Sequence, residues 1–207
     1  MTDRTPVAFD GAVLAGGASR RMGRDKAFVE APDGRPLVLV AAEGLLAAGA
    51  GRVVVVGGDE AAVGALGLAW TPDLHPGEGP LGGIVTALRD APADPVVVVA
   101  CDMPGFTEEV PTALVAALDR APGADVALAA VGERLQPLTA AWRRSAIPVL
   151  EAAFSLGERA PRRVLDRLEV VAVPGLSRDL LDDVDSPEDL RRYADRRPSP
   201  PTRTGSP

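Results

Sequence analysis

A chain of 207 residues with 46% hydrophobic content can bury one full core, and its net charge of −7 argues against a broad nucleic-acid-binding surface. Cys101 and His75 each stand alone in their residue type, which excludes an internal disulfide and a zinc site built from Cys and His, and fits a reducing cytoplasm. No apolar run approaches the ~20 residues of a membrane span and residues 1–8 lack a signal-peptide core, so the expectation is a soluble cytoplasmic protein.

Residues 1–8 read as a flexible N-terminus. Gly11 to Ala15 is small and apolar, a buried strand, and Gly16 and Gly17 then free the backbone to turn. Pro36 to Ala48 has helical periodicity, Arg52 to Val56 reads as a strand covered on both faces, Asp59 to Leu66 is helical, and Leu68 to Thr71 is a brief strand. A polar loop, Pro72 to Gly79, leads to Gly79-Pro80-Leu81-Gly82-Gly83. This run opens a helix to about Arg89, either as a plain tight turn with Pro in the first turn or as one whose glycines admit a flat ligand. Pro95 to Ala100, the most apolar strand, delivers Cys101-Asp102-Met103-Pro104 at its C-terminal end. Thr107 is expected to cap a helix from Glu108 to Arg120.

Asp125 to Ala130 and Leu138 to Trp142 read as strands around a loop, Val131 to Pro137. Ser145 to Leu156 and Ala160 to Leu168 read as helical and Glu169 to Val173 as a strand. Arg159, Arg162 and Arg163 could meet an anionic phosphate, but helix surfaces carry arginine routinely and a solvated face is the favoured reading. Leu180 to Pro187 brings Asp183 and Asp185 to a turn, and Ser186 caps a last helix to about Arg196. Arg197 to Pro207 should be disordered. Alternating strands and helices predict an α/β fold: one three-layer, Rossmann-like domain over residues 9–196 with a mostly parallel central sheet.

The chemistry concentrates in Phe9 to Lys26, FDGAVLAGGASRRMGRDK. A glycine-rich turn after a strand presents N–H groups to phosphate oxygens, and Arg20, Arg21, Arg24 and Lys26 add positive charge beside it. The spacing is neither that of a P-loop nor that of a dinucleotide fingerprint. Asp102, at a buried strand's end, is either a hard-oxygen ligand for Mg²⁺ or a cap on the turn into the next helix. Cys101 reads as a small buried hydrophobe, and His75 as solvated or locally hydrogen-bonded.

Leu14-Ala15-Gly16-Gly17, Ser19, Arg21-Met22-Gly23 and Asp25-Lys26 closely resemble the L-x-G-G-x-S-x-R-M-G-x-D-K signature of molybdenum cofactor guanylyltransferases, members of the MobA-like nucleotidyltransferases. G-P-L-x-G, C-D-x-P, Q-P-L and S-P-E-D-L follow in that family's order. The resemblance implies a nucleotidyltransferase fold and Mg²⁺-dependent transfer of GMP from GTP to the phosphate of molybdenum-molybdopterin, with pyrophosphate released. It implies catalytic roles for Lys26, Arg21 and Asp102, nucleotide contacts from Leu14, Ala15, Gly16, Gly17, Ser19, Arg21, Lys26, Asp73, Gly79, Pro80 and Leu81, and metal ligation by Asp102 and Asp185. Gly16-Gly17 points to guanine, where cytidylyl relatives carry alanine before the second glycine. The partners implied are the small-molecule substrates, with transient contact to cofactor-synthesis or acceptor enzymes, and neither nucleic acid nor membrane. The family's usual N-x-N before the last helix is Asp183-Val184-Asp185 here, which bears on the acceptor contacts. The alternatives are cytidylyl transfer, guanylyl transfer to another small phosphate such as phospholactate, and a nucleotide-binding module without turnover.

Overall fold

The computed structural model describes residues 7–16 and 25–196. Gly17, Ser19, Arg20, Arg21, Arg24 and the 197–207 tail lie outside these residues, as does most of the 1–8 segment. The first half alternates strand and helix: β1 (Asp10–Leu14), α1 (Leu37–Ala47), β2 (Val53–Val56), α2 (Glu60–Ala65), β3 (Ala69–Thr71), α3 (Pro80–Asp90) and β4 (Val96–Ala100). The second half adds α4 (Glu109–Arg120), β5 (Val126–Val131), β6 (Arg134–Trp142), α5 (Ile147–Ser155), β7 (Val170–Val173), α6 (Arg178–Leu181) and α7 (Pro187–Arg196). These strands form one seven-stranded sheet in the order β3-β2-β1-β4-β6-β5-β7. β6 runs against both neighbours, and the other pairings are parallel.

Both faces of the sheet are covered at its centre, which is why β2 and β4 are apolar throughout instead of alternating with polar residues. Val13, Val55, Val97 and Val99 share one buried cluster with residues of α1 and α4. Ala12, Val54, Val98 and Trp142 belong to a second cluster with α3 and α5. A third, smaller cluster of Val29, Leu37, Val40, Val184 and Tyr193 fastens α7 against the segment after the first turn and the start of α1. Each fully buried aliphatic side chain in these clusters stabilises the fold by about 1.5–3 kcal/mol.

Several local expectations are corrected. The expected loop Val131 to Pro137 is mostly strand: β5 and β6 form a hairpin turned by Gly132 and Glu133. Its register jumps between Leu128 and Ala129, where Leu128 faces Ala140 and Ala129 faces Gln136, so Pro137 and Leu138 fall in a bulge that does not require the missing proline N–H. Thr107 is not the cap of α4, which starts at Glu109 without a side-chain cap. The Ala160 to Leu168 stretch is a 3₁₀ helix, Pro161–Arg167. The turn expected from Leu180 begins inside the short α6. Ser186 does cap α7, accepting the Asp189 N–H at 3.2 Å and donating to its carboxylate at 2.6 Å.

Candidate active site

The strand order reverses beside β1: β2 lies on one side of it and β4 on the other, each reached through a helix on an opposite face. A crevice opens at the C-terminal ends of strands at such a switch point, and Gly16 and Asp102 leave β1 and β4 there. Lys26 enters it from the first position of a 3₁₀ turn, Lys26–Phe28. Asp25 caps that turn by accepting the Ala27 N–H at 3.0 Å.

Lys26 Nζ donates to Asp102 Oδ2 at 2.8 Å and to Asp185 Oδ1 at 2.6 Å. The side chains are 12%, 21% and 62% exposed for Lys26, Asp102 and Asp185 respectively, so Lys26–Asp102 is the sheltered half of the pair and Asp185 the wet half. Asp185 is brought across the site because the Val184 N–H donates to the Asp102 carbonyl at 3.0 Å while Val184 packs in the third cluster. Burial pushes the Asp102 carboxyl above its ordinary range; Lys26 opposes that through charge and a hydrogen bond, while Asp183 and Asp185 add to it. Burial alone would lower the Lys26 ammonium, but Asp102 and Asp185 outweigh it and hold the ammonium above its usual value. Asp102 is thus a charge partner in the crevice and not the cap of the following helix.

Two carboxylates already share one cation here. The donors are hard oxygens and few, as Mg²⁺ prefers when substrate phosphates complete its shell. No group of three or more His, Cys, Asp or Glu side chains placed to hold a metal ion occurs among the described residues.

Asp73 follows β3 and accepts the His75 N–H at 2.9 Å; its other oxygen lies 3.6 Å from where a Gly16 Cβ would stand. Gly16 and Asp73 are therefore brought together with Lys26 at one crevice. Leu14 is the last residue of β1, and Ala15 continues its pairing with β2. The Ala15 N–H donates to Val56 O at 3.0 Å, so the phosphate donors expected from Ala15 onward can begin only beyond it. Leu81 is fully buried and gives its N–H to Arg159 O at 3.2 Å, leaving neither side chain nor donor for a nucleotide. Pro80 and Gly79 remain exposed at the start of α3.

The glycines of this segment have structural work of their own. Gly79 has φ +93°, which a side chain rarely adopts, and a Cβ on Gly82 would stand 2.7 Å from His75 Cβ and 3.2 Å from Phe154. Gly82 is thus small to let His75 pack against α3, and not for a flat ligand. His75 is half-buried against the Phe154 ring, at 4.2 Å between centroids. Cys101 is buried and uncharged, its thiol pushed far up by burial and by Asp102.

From Asp102 a cleft of about 610 Å³ extends toward β6 and the 3₁₀ helix, lined by Asp183 and by Arg134, Arg159, Arg162 and Arg163. Gln136, Pro137 and Leu138 line it through the bulge of β6. The arginines taken from sequence as a solvated face thus meet at a cavity. Arg134 was missed because only folding the hairpin brings it there, and the Gly132-Glu133 turn is its one local signal.

A model of the MobA-like NTP transferase domain matches residues 11–172. The chain belongs to the MobA-like NTP transferase family. It is 37% identical over 186 residues to a probable molybdenum cofactor guanylyltransferase of Pelotomaculum thermopropionicum, covering 89% of this chain and 82% of that protein. A similarly named protein of Deinococcus radiodurans is 35% identical over 188 residues, covering 89% and 93%. Among solved structures, the molybdopterin-guanine dinucleotide biosynthesis protein A of Archaeoglobus fulgidus superposes with a TM-score of 0.74 at 30% identity, covering 90% of this chain and 97% of that one. The MobA-like chain is a nucleotidyltransferase with the α/β fold expected from its sequence. No helix among its described residues is long and apolar enough to cross a membrane.

Proposed function

We propose that the chain transfers GMP from GTP to the terminal phosphate of molybdenum-molybdopterin, with Mg²⁺ at Asp102 and Asp185. The observation that carries this is the Lys26 ammonium shared by those carboxylates where the crevice after β1 meets an arginine-walled cleft. GTP lies on the β1 side, and the acceptor phosphate enters from the cleft. An acceptor oxygen forms a bond to the α-phosphorus as the bond between that phosphorus and the α,β-bridging oxygen breaks, and pyrophosphate leaves with the electron pair. Asp102 and Asp185 would hold Mg²⁺, which would supply neutralisation of phosphate charge and orientation of the reacting groups.

The protein needs no nucleophile of its own, because such transfer depends on positioning and charge stabilisation. Lys26 holds the carboxylates together until a triphosphate arrives, then neutralises charge moving toward pyrophosphate. Backbone donors after Gly16, with Ser19 and Arg21, hold the triphosphate, Gly17 favours guanine, and Asp73 faces the nucleoside. Arg134, Arg162 and Arg163 draw in the acceptor phosphate. Asp183 and Asp185 make the mouth more acidic than Asn would, which raises the dependence of acceptor binding on bound cation. The reaction belongs to the cytoplasm, with cofactor-synthesis or acceptor enzymes as transient partners.

Pyrophosphate release with Mg²⁺, molybdenum-loaded molybdopterin and each of GTP, CTP, ATP and UTP tests the reading. Release with GTP alone supports it. Release with CTP moves the protein to cytidylyl transfer, and GTP binding without release with any nucleotide removes this acceptor.

A further inference from the structure

The loop between β3 and α3 touches both sides of the site. At one end, Asp73 abuts Gly16 and is fixed by the His75 N–H and the Thr86 hydroxyl, at 2.9 and 3.1 Å. At the other end, Glu78 Oε2 accepts from Arg159 Nη2 at 2.6 Å, across 81 residues of sequence. This is more than an isolated surface pair. Arg159 Nη1 also donates to the carbonyls of Phe154 and Glu158, at 2.8 and 2.9 Å, and its guanidinium lies 4.0 Å from the Phe154 ring centroid. The other neighbour of that ring is His75, from the same β3–α3 loop. The Leu81 N–H donates to Arg159 O at 3.2 Å, and a Cβ on Gly79 would stand 3.2 Å from Arg159 Cβ. A guanidinium already held by two carbonyls and a ring loses little further freedom when it pairs with Glu78.

Arg159 also begins the segment that carries the cleft arginines. Glu158 Oε1 accepts the N–H groups of Arg159 and Ala160, at 2.8 and 2.9 Å, so the turn into Pro161, Arg162 and Arg163 is braced as a unit. We propose that the Glu78–Arg159 contact couples the two subsites: a nucleotide seated against Asp73 holds the β3–α3 loop, and through Glu78 the 158–163 segment, in the arrangement that the acceptor binds. Arg159 acts as a positioning residue, its guanidinium committed to Glu78, Phe154 and Glu158. The proposal rests on the assignment of nucleotide and acceptor sides made above. It predicts binding synergy in both directions, since coupling between two ligands is reciprocal.

Calorimetric titration of the full chain with α,β-methylene GTP and Mg²⁺, with and without saturating molybdopterin, measures that synergy. The wild type is expected to bind the analogue about 5- to 10-fold more tightly when molybdopterin is present. Glu78→Gln leaves Arg159 its carbonyls and ring. It is expected to bind each ligand alone within about twofold of wild type while its synergy falls below about twofold. Arg159→Met should lose the synergy from the other side, and if that variant does not fold, the exposed Glu78→Gln change decides. Absence of synergy in a wild type that binds both ligands overturns the coupling and leaves the subsites standing, as does full synergy in Glu78→Gln. Failure of the wild type to bind the GTP analogue at all overturns the subsite assignment, and the coupling with it.

Discussion

The two sides of the cleft are assembled differently. On the β1 side, Gly16 and Asp102 each follow directly on a parallel strand of the sheet, and Asp73 follows β3 by a short step. On the other side, Arg134 depends on an antiparallel hairpin, Arg162 and Arg163 on a 3₁₀ helix, and Asp183 on a chain that returns across the site near its end. The first side rests on a core strand pair, and the second on braced loops. Substitutions on the first side should therefore strike the chemical step, and those on the second should strike acceptor recognition.

The largest expected effect is at the shared cation. Lys26→Ala should lower kcat for pyrophosphate release by about 10²–10³-fold with a smaller change in the KM for GTP, as for loss of one preorganised charge donor. An unchanged kcat would break the contrast at its centre. On the other side, the paired change Arg134→Ala and Arg162→Ala should raise the acceptor KM by about tenfold or more, the 1.4 kcal/mol expected for losing charge-assisted contacts, and leave the GTP KM near wild type. A kcat effect without a KM effect would place these arginines at the chemistry instead.

Smaller effects sharpen the structural side. Gly82→Ala drives a Cβ to 2.7 Å from His75 and should cost about 1–3 kcal/mol, read as a lower melting temperature. Asp185→Asn, at a side chain 62% exposed, should change stability by no more than about 1 kcal/mol in chemical denaturation. Cys101 should resist iodoacetamide in the folded protein and react once denaturant is added, because burial holds it as the thiol.

Legibility in the sequence follows the same division. Strand β1 and the apolar β4 that leads into Asp102 could be read because short-range pattern determines them. The covered sheet was likewise visible in runs such as Val53–Val56 and Val96–Ala100. What could not be read was pairing. Lys26 meets Asp102 across 76 residues and Asp185 across 159, and nothing local announces either contact. Pro137 made a strand look like a loop, because a proline inside a strand is tolerated only where a bulge removes the need for its N–H. The glycines before and inside α3 looked like room for a ligand, when Gly82 is in fact filled by His75. Arg159 looked like surface charge for the same reason: its partner Glu78 lies in a different loop.

On the proposed mechanism, Asp102 and Asp185 exchange a lysine for a metal when nucleotide binds. Electron paramagnetic resonance of Mn²⁺, titrated into the protein with and without GTP, tests it directly. Wild type should bind Mn²⁺ weakly alone and at least about tenfold more tightly with GTP, whereas Asp102→Asn should lose most of the GTP-dependent gain. The same Mn²⁺ affinity with GTP in Asp102→Asn as in wild type would contradict the claim.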